Sequence, residues 1–217
     1  MRAWVLTALV LPVAVLGQVI RFDRLQEGGL PPGWSVAMTH EGGPPKWQIV
    51  RDDSAPHPPM VFAQVSRDST AGRFPLAIWD KANLRDGEVT VAFKAVDGEI
   101  DRAAGVVWRY KDPNNYYIAR ANALENNVVL YKVQDGVRLS IAPKGLPSRA
   151  YGVKHDVPSG KWQTLRVVFR DHLFTVFLNG SSLFEVEDQA LNDPGKVGLW
   201  TKADSVTYFA DFVVTKY

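Results

Sequence analysis

The chain has 217 residues, with 25 Lys plus Arg against 23 Asp plus Glu, a net charge of +2 and no basic run. Such a balance excludes nucleic acid and anionic membranes as expected partners. The absence of cysteine excludes disulfides and thiol chemistry, so the fold must rest on its core.

The N-terminus reads MRAWVLTALVLPVAVLGQ: one Arg2, an apolar run from Ala3 to Leu16 broken by Pro12, and the small Gly17. That pattern predicts a secretory signal peptide over residues 1–17, leaving residues 18–217 as one exported domain, periplasmic or extracellular. The run is shorter than the roughly 18 apolar residues a transmembrane anchor needs, so the processed protein is not expected to be an integral membrane protein.

Residues 19–75 are loop-rich, with QEGGLPPGW, EGGPPKW and DDSAPHPPM separating short apolar stretches such as VIRF, WQIV and MVFAQV. Short strands between turns are predicted there. From Leu84 the alternation becomes regular. EVTVAFKAV, AAGVVWRY, NYYIAR, NVVLYKV, VRLSI, WQTLRVVF, LFTVFL, SLFEVE, KVGLWT and VTYFADFVV follow one another without an amphipathic helix.

Asp135-Gly136 lies between NVVLYKV and VRLSI, and Asn179-Gly180 between FTVFL and SSLFEV; both pairs favour the positive φ angles of tight hairpins. The ARANALE segment within Asn114–Tyr131 contains helix formers, but its flanks are strand-like. The prediction is strand, a turn near Leu124–Asn127, and strand. The fold class predicted is all-β, a two-sheet antiparallel sandwich.

Three segments together carry a family resemblance: AGVVWRYKDPNNYYIARANALENNVVLYKVQDG, KWQTLRVVFRDHLFTVFLNGSSLFEVED and GKVGLWTKADSVTYFADFVV. In order and spacing the chain resembles bacterial exported domains of the 3-keto-disaccharide hydrolase family, over roughly Gly33 to Tyr217. The resemblance implies a concanavalin A-like, laminin-G-like jelly roll and a carbohydrate or glycoside as partner. It also implies an active segment of Y-E-V-Q type, where this chain reads Tyr117-Ile118-Ala119-Arg120.

Glycoside cleavage by a carboxylate pair points to Glu99 and Asp101, two apart and thus on one face if in a strand, and to Glu125. Sugar binding uses aromatic faces together with amide, carboxylate and guanidinium groups. Trp108, Arg109, Tyr117, Arg120, Asn122, Trp200, Lys202 and Asp204 are the substrate-binding candidates. Alternation sets Ile118, Arg120 and Asn122 on one face and Tyr117, Ala119 and Ala121 on the other. A mid-strand Arg120 must face solvent or pair with an acid such as Asp211 or Glu125.

His40, His57, His155 and His172 lack metal-ligand spacing, and there is no Gly-x-Ser-x-Gly elbow. No cofactor is expected. Asp112 and Asn114 offer oxygens to a rim calcium, but a self-capped Asp-Pro turn is the preferred reading. Two functions remain open: a glycosidic-bond hydrolase, and a non-catalytic glycan-binding or envelope interaction domain.

Overall fold

The computed structural model describes residues 17–217, so nearly all of the expected signal peptide lies outside the described residues. Sixteen strands and no helix are present among them: β1 (Gln18–Ile20), β2 (Trp34–Thr39), β3 (Trp47–Arg51), β4 (Met60–Gln64), β5 (Phe74–Leu84), β6 (Gly87–Asp97), β7 (Ala103–Asp112), β8 (Asn115–Asn122), β9 (Asn127–Gln134), β10 (Val137–Ile141), β11 (Val153–Lys154), β12 (Trp162–Arg170), β13 (Leu173–Leu178), β14 (Ser181–Glu187), β15 (Gly195–Trp200) and β16 (Val206–Lys216). They form two antiparallel sheets. The first runs β14-β13-β12-β6-β16-β4-β3 with β1 beside β16; the second runs β10-β9-β8-β7-β15-β5-β2 with β11 beside β9.

The hairpin signals act as their residue types require. Asp135 and Gly136 take φ of 51° and 79°, and Asn179 and Gly180 take 50° and 82°, which matches the twist of the strands they join. ARANALE is no helix: β8 ends at Asn122 and β9 begins at Asn127. Strands β2 and β5 escape the periodicity reading. In β5 (FPLAIWDKANL) the first six residues are a buried apolar run that carries Pro75, which argues against a strand, and Asp80 and Lys81 follow exposed, so no single template covers its eleven residues.

The main core lies between the sheets and is built from inward residues such as Trp34, Phe62, Val91, Trp108, Tyr117, Phe169, Val197 and Phe212. A second apolar cluster, with Phe74, Leu76, Ile78, Val107, Tyr116, Ile118, Tyr131 and Trp200, occupies the other face of the second sheet. Exposure there is close to zero because the sheet curls over its own face. Tyr116 Oη on β8 lies 2.5 Å from Thr39 Oγ1 on β2, although three strands separate β8 from β2 in sheet order. A flat sheet would hold those strands about 19 Å apart, beyond the reach of the two side chains.

Arg138 closes the same roll from the opposite edge. Its guanidinium projects from β10 to lie 4.6 Å from the Tyr131 ring centre, 4.8 Å from Phe74 and 5.9 Å from Trp200. Thr39 donates to Pro113 O of the β7–β8 turn at 2.6 Å, and the His40 ring nitrogens lie 2.7 Å from Gly72 O, ahead of β5, and Gly136 O, in the β9–β10 turn. The middle and one end of the rolled face are therefore filled by the protein itself. Polar chemistry is left to the other end.

Candidate functional site

At that other end, where β8 turns into β9, six polar side chains converge. Asn122 closes the turn by accepting from the N–H groups of Leu124 (2.9 Å) and Glu125 (3.2 Å) through Oδ1. Asn126 takes the left-handed φ of 47° that Asn tolerates, so the asparagines first serve the turn. The same Asn122 amide donates to Asp101 Oδ1 at 2.7 Å and to Glu125 Oε1 at 3.1 Å. Two carboxylates thus share one N–H₂ group, which sets their nearest oxygens less than about 6 Å apart.

Arg120 lies beneath them with its side chain wholly buried. It donates to both Glu125 oxygens (3.2 and 3.0 Å) and to Asn127 Oδ1 (2.6 Å), and the Asn127 amide donates back to Glu125 Oε2 at 2.9 Å. Of the two acids expected as partners for Arg120, the structure selects Glu125; Asp211 instead meets His57 and Arg21 on the first sheet. The side chain of Glu125 keeps 37% of its surface exposed, so this carboxylate is both anchored and reachable. Burial works against its ionisation, but the Arg120 fork, then Asn127 and the nearby Lys202, outweigh it and hold the carboxyl below the usual glutamate range.

Asp101 is buried and also accepts from Lys202 Nζ at 2.6 Å. Its position is fixed by Asp204, whose carboxylate accepts from the N–H groups of Glu99 (2.7 Å), Ile100 (3.1 Å) and Asp101 (3.0 Å). Asp204, read from the sequence as a substrate ligand, is instead the clamp of the 98–102 turn. Burial opposes its charge, yet the three backbone donors prevail and its pKa is lowered. A depressed carboxyl contributes stability that is present above the unfolded value of 3.8 and is lost as pH falls through the folded value. Asp204→Asn is expected to lower unfolding free energy by about 1–3 kcal/mol at pH 7. The deficit should shrink below about pH 4, as urea titrations across pH will show.

Several sequence candidates stand elsewhere. Glu99 is exposed, in a bend and not in a strand, so it does not share a face with Asp101. Trp108 and Tyr117 are fully buried cross-strand neighbours in the main core, with Trp108 stacked on Tyr117 (5.4 Å) and Phe169 (5.9 Å). They have no surface for a sugar. Arg109 occupies a bulge at the far end of β7 with φ of 48°, and donates to Arg85 O (2.9 Å), Leu191 O (3.0 Å) and Asp171 O. It staples loops beside a hollow of about 350 Å³ that contains none of the clustered polar residues.

Trp200 lies on the same sheet face as Ile118 but is buried beneath Arg138, and Arg120, Asn122 and Lys202 fall where the site is. The Asp112 loop caps itself: Asp112 accepts from Asn114 N–H at 2.7 Å and from the Asn115 amide at 3.1 Å. Sequence reasoning missed Tyr131, Arg138 and Tyr151. Tyr131 carried a signal, because NVVLYKV is nearly continuous in apolar residues, the mark of a strand covered on both faces.

The profile of the family described as "3-keto-alpha-glucoside-1,2-lyase-like domain" matches residues 23–215. No curated protein matches the chain. Among solved structures, the carbohydrate-binding module CBM66 from Bacillus subtilis superposes with a TM-score of 0.61 at 18% identity, covering 83% of this chain and 93% of that one. A protein of unknown function with a galectin-like fold, also from Bacillus subtilis, gives 0.54 at 14% identity over 92% and 98% of the two chains. A GH43 protein from Bacillus licheniformis gives 0.54 at 15% identity, over 90% of this chain and 39% of its own. At such identities these structures establish the fold alone: a galectin-like jelly roll, in agreement with the two-sheet antiparallel sandwich read from the sequence and with the jelly roll that the family resemblance implies. The match across residues 23–215 places the chain in a family, and it belongs to the 3-keto-alpha-glucoside-1,2-lyase-like domains.

Proposed function

We propose that the protein cleaves a glycoside whose sugar carries a 3-keto group, with Glu125 as the proton-accepting carboxylate. The observation that carries this reading is the half-exposed, ionised Glu125 braced by a wholly buried Arg120, in a domain of a family described by 1,2-lyase chemistry on 3-keto glucosides. A ketone at C3 acidifies the hydrogen on C2. Glu125 takes that proton, the C2–H electrons form the C1=C2 double bond, and the C1–O bond breaks. The alcohol leaves as it gains a proton from a general acid or water. Lys202, hydrogen-bonded to Asp101 beside this carboxylate, supplies positive charge for the enolate that develops. Water adding across the new double bond would make the net result hydrolysis. Residues 1–17 support a periplasmic or extracellular setting for this chemistry.

One observation favours the second reading, a glycan-binding domain without catalysis. Both Glu125 oxygens are already held by Arg120, Asn122 and Asn127, as in a scaffold that only presents hydrogen-bonding groups. The deciding experiment incubates the protein with a 3-keto disaccharide and with its unoxidised parent, following products by NMR and binding by calorimetry. Release of the alcohol from the keto substrate alone supports the lyase reading. Saturable binding without product supports the second, and neither binding nor product overturns both.

A further inference from the structure

The wall beside Glu125 is the segment 151–155, and its position depends on Gly152. This glycine has φ of 59°, and a Cβ there would sit 2.1 Å from Val128 O. Only glycine lets the chain approach β9 so closely that Val153 pairs with Val128 and Lys154 with Asn127. Two further bonds tie the segment to the site turn: Lys154 Nζ donates to Glu125 O at 3.0 Å, and His155 N–H donates to Asn126 O at 3.1 Å.

This approach fixes Tyr151. Its hydroxyl lies 2.5 Å from that of buried Tyr131, the two rings stand at 72°, and the Arg120 guanidinium lies 5.8 Å from its ring centre. Yet Tyr151 remains 47% exposed, whereas Phe74, Tyr116, Tyr131 and Trp200 on the same face are buried. An aromatic ring fixed in orientation and left in water beside an ionised carboxylate matches what a pyranose requires: a flat π surface for its C–H face and polar groups for its hydroxyls. Anchoring through Tyr131 and Gly152 removes rotamer freedom before the ligand arrives, which lowers the ordering cost of binding.

We propose that Tyr151 is the platform on which the sugar ring lies, and that the 151–155 segment orients that ring against Glu125. The inference rests on the sugar-binding reading above, and it adds a positioning residue outside the polar cluster. Tyr151 needs no proton chemistry for this role; it sets where the ring sits.

Its test uses Tyr151→Phe, Tyr151→Leu and Gly152→Ala with the same 3-keto disaccharide and its parent. Tyr151→Phe keeps the ring and is expected to hold KM and Kd within about threefold of the original protein. Tyr151→Leu keeps apolar bulk without the π face and should raise KM and Kd about tenfold or more, with kcat falling as well because the ring is no longer held against Glu125. Gly152→Ala should shift the platform and weaken binding in the same direction. Thermal melts distinguish this from loss of fold: Tyr151→Phe and Tyr151→Leu both leave the buried Tyr131 hydroxyl without its partner and should lower the melting temperature alike, so binding kept in the first and lost in the second reports on the ring. Unaltered KM and Kd in Tyr151→Leu, with a wild type that binds the sugar, would overturn the platform and leave the function standing. A wild type that binds neither sugar would overturn both.

Discussion

Replacing Trp108 by Ala is expected to remove about 3–5 kcal/mol of unfolding free energy. The folded remainder should still bind any ligand of the Glu125 site. Trp108 has no exposed surface, stacks within 20° of the Tyr117 and Phe169 planes, and meets Phe174 edge-on at 5.3 Å. Its neighbours come from both sheets, Tyr117 from β8 and Phe169 and Phe174 from β12 and β13, so the cavity left by truncation lies where the layers join. Neither layer can collapse to fill it without moving the other, which puts the cost in the upper part of the range for large-to-small core changes. Urea unfolding with an unchanged m-value will measure it. Trp108→Phe, which retains a ring, should recover much of the loss. A ligand affinity that falls with Trp108→Ala in the folded population would return Trp108 to the binding surface.

The contrast between Trp108 and Arg120 shows what was legible in the sequence. Alternation correctly separated Tyr117, Ala119 and Ala121 from Ile118, Arg120 and Asn122, because side-chain direction in a strand is a local property. It left open which side faces the other sheet, and Trp108 was assigned a surface role that its inward direction forbids. Turn chemistry was equally local and equally readable. Asp135-Gly136, Asn179-Gly180 and the Asn122–Asn127 turn all fall where residue types place them.

What remained hidden is long-range. That β2 meets β8 through Thr39 and Tyr116 depends on the curl of a whole sheet, and no window of a dozen residues encodes it. The same curl brings Arg138 over Trp200 and so removes a tryptophan that looked free to stack on sugar. Tyr151 sits in an irregular segment with no period to read, and its place follows from the contact of Gly152 with β9. Asp101 and Asp204 were both identified as polar candidates, but only three-dimensional structure assigns one to the shared amide and the other to the turn beneath it.

Glu125 carries the second large expectation, and two substitutions separate its structural from its chemical role. Glu125→Ala leaves the Arg120 cation, wholly buried, with Asn127 Oδ1 as its remaining side-chain acceptor. Breaking a buried pair in this way costs about 3–5 kcal/mol, and the wet outer side of Glu125 places this case near 3. Glu125→Gln keeps an acceptor for the fork and an amide-sized side chain, so about 1–2 kcal/mol is expected. For turnover of a 3-keto disaccharide the two variants should agree, each losing about 10²–10⁴-fold, because neither can accept the C2 proton.

The pH profile provides an independent check on the same carboxylate. With its pKa held below the ordinary 4.5, Glu125 stays ionised down to that region, so its acid limb of turnover should lie below about pH 4.5. The stability it contributes has the same sign: present above the unfolded value, lost as pH falls through the folded one. If Glu125→Ala is destabilised but turns over substrate normally, Glu125 is only the counter-ion of Arg120. The proton acceptor would then have to be sought at Asp101, the other carboxylate bound to the Asn122 amide.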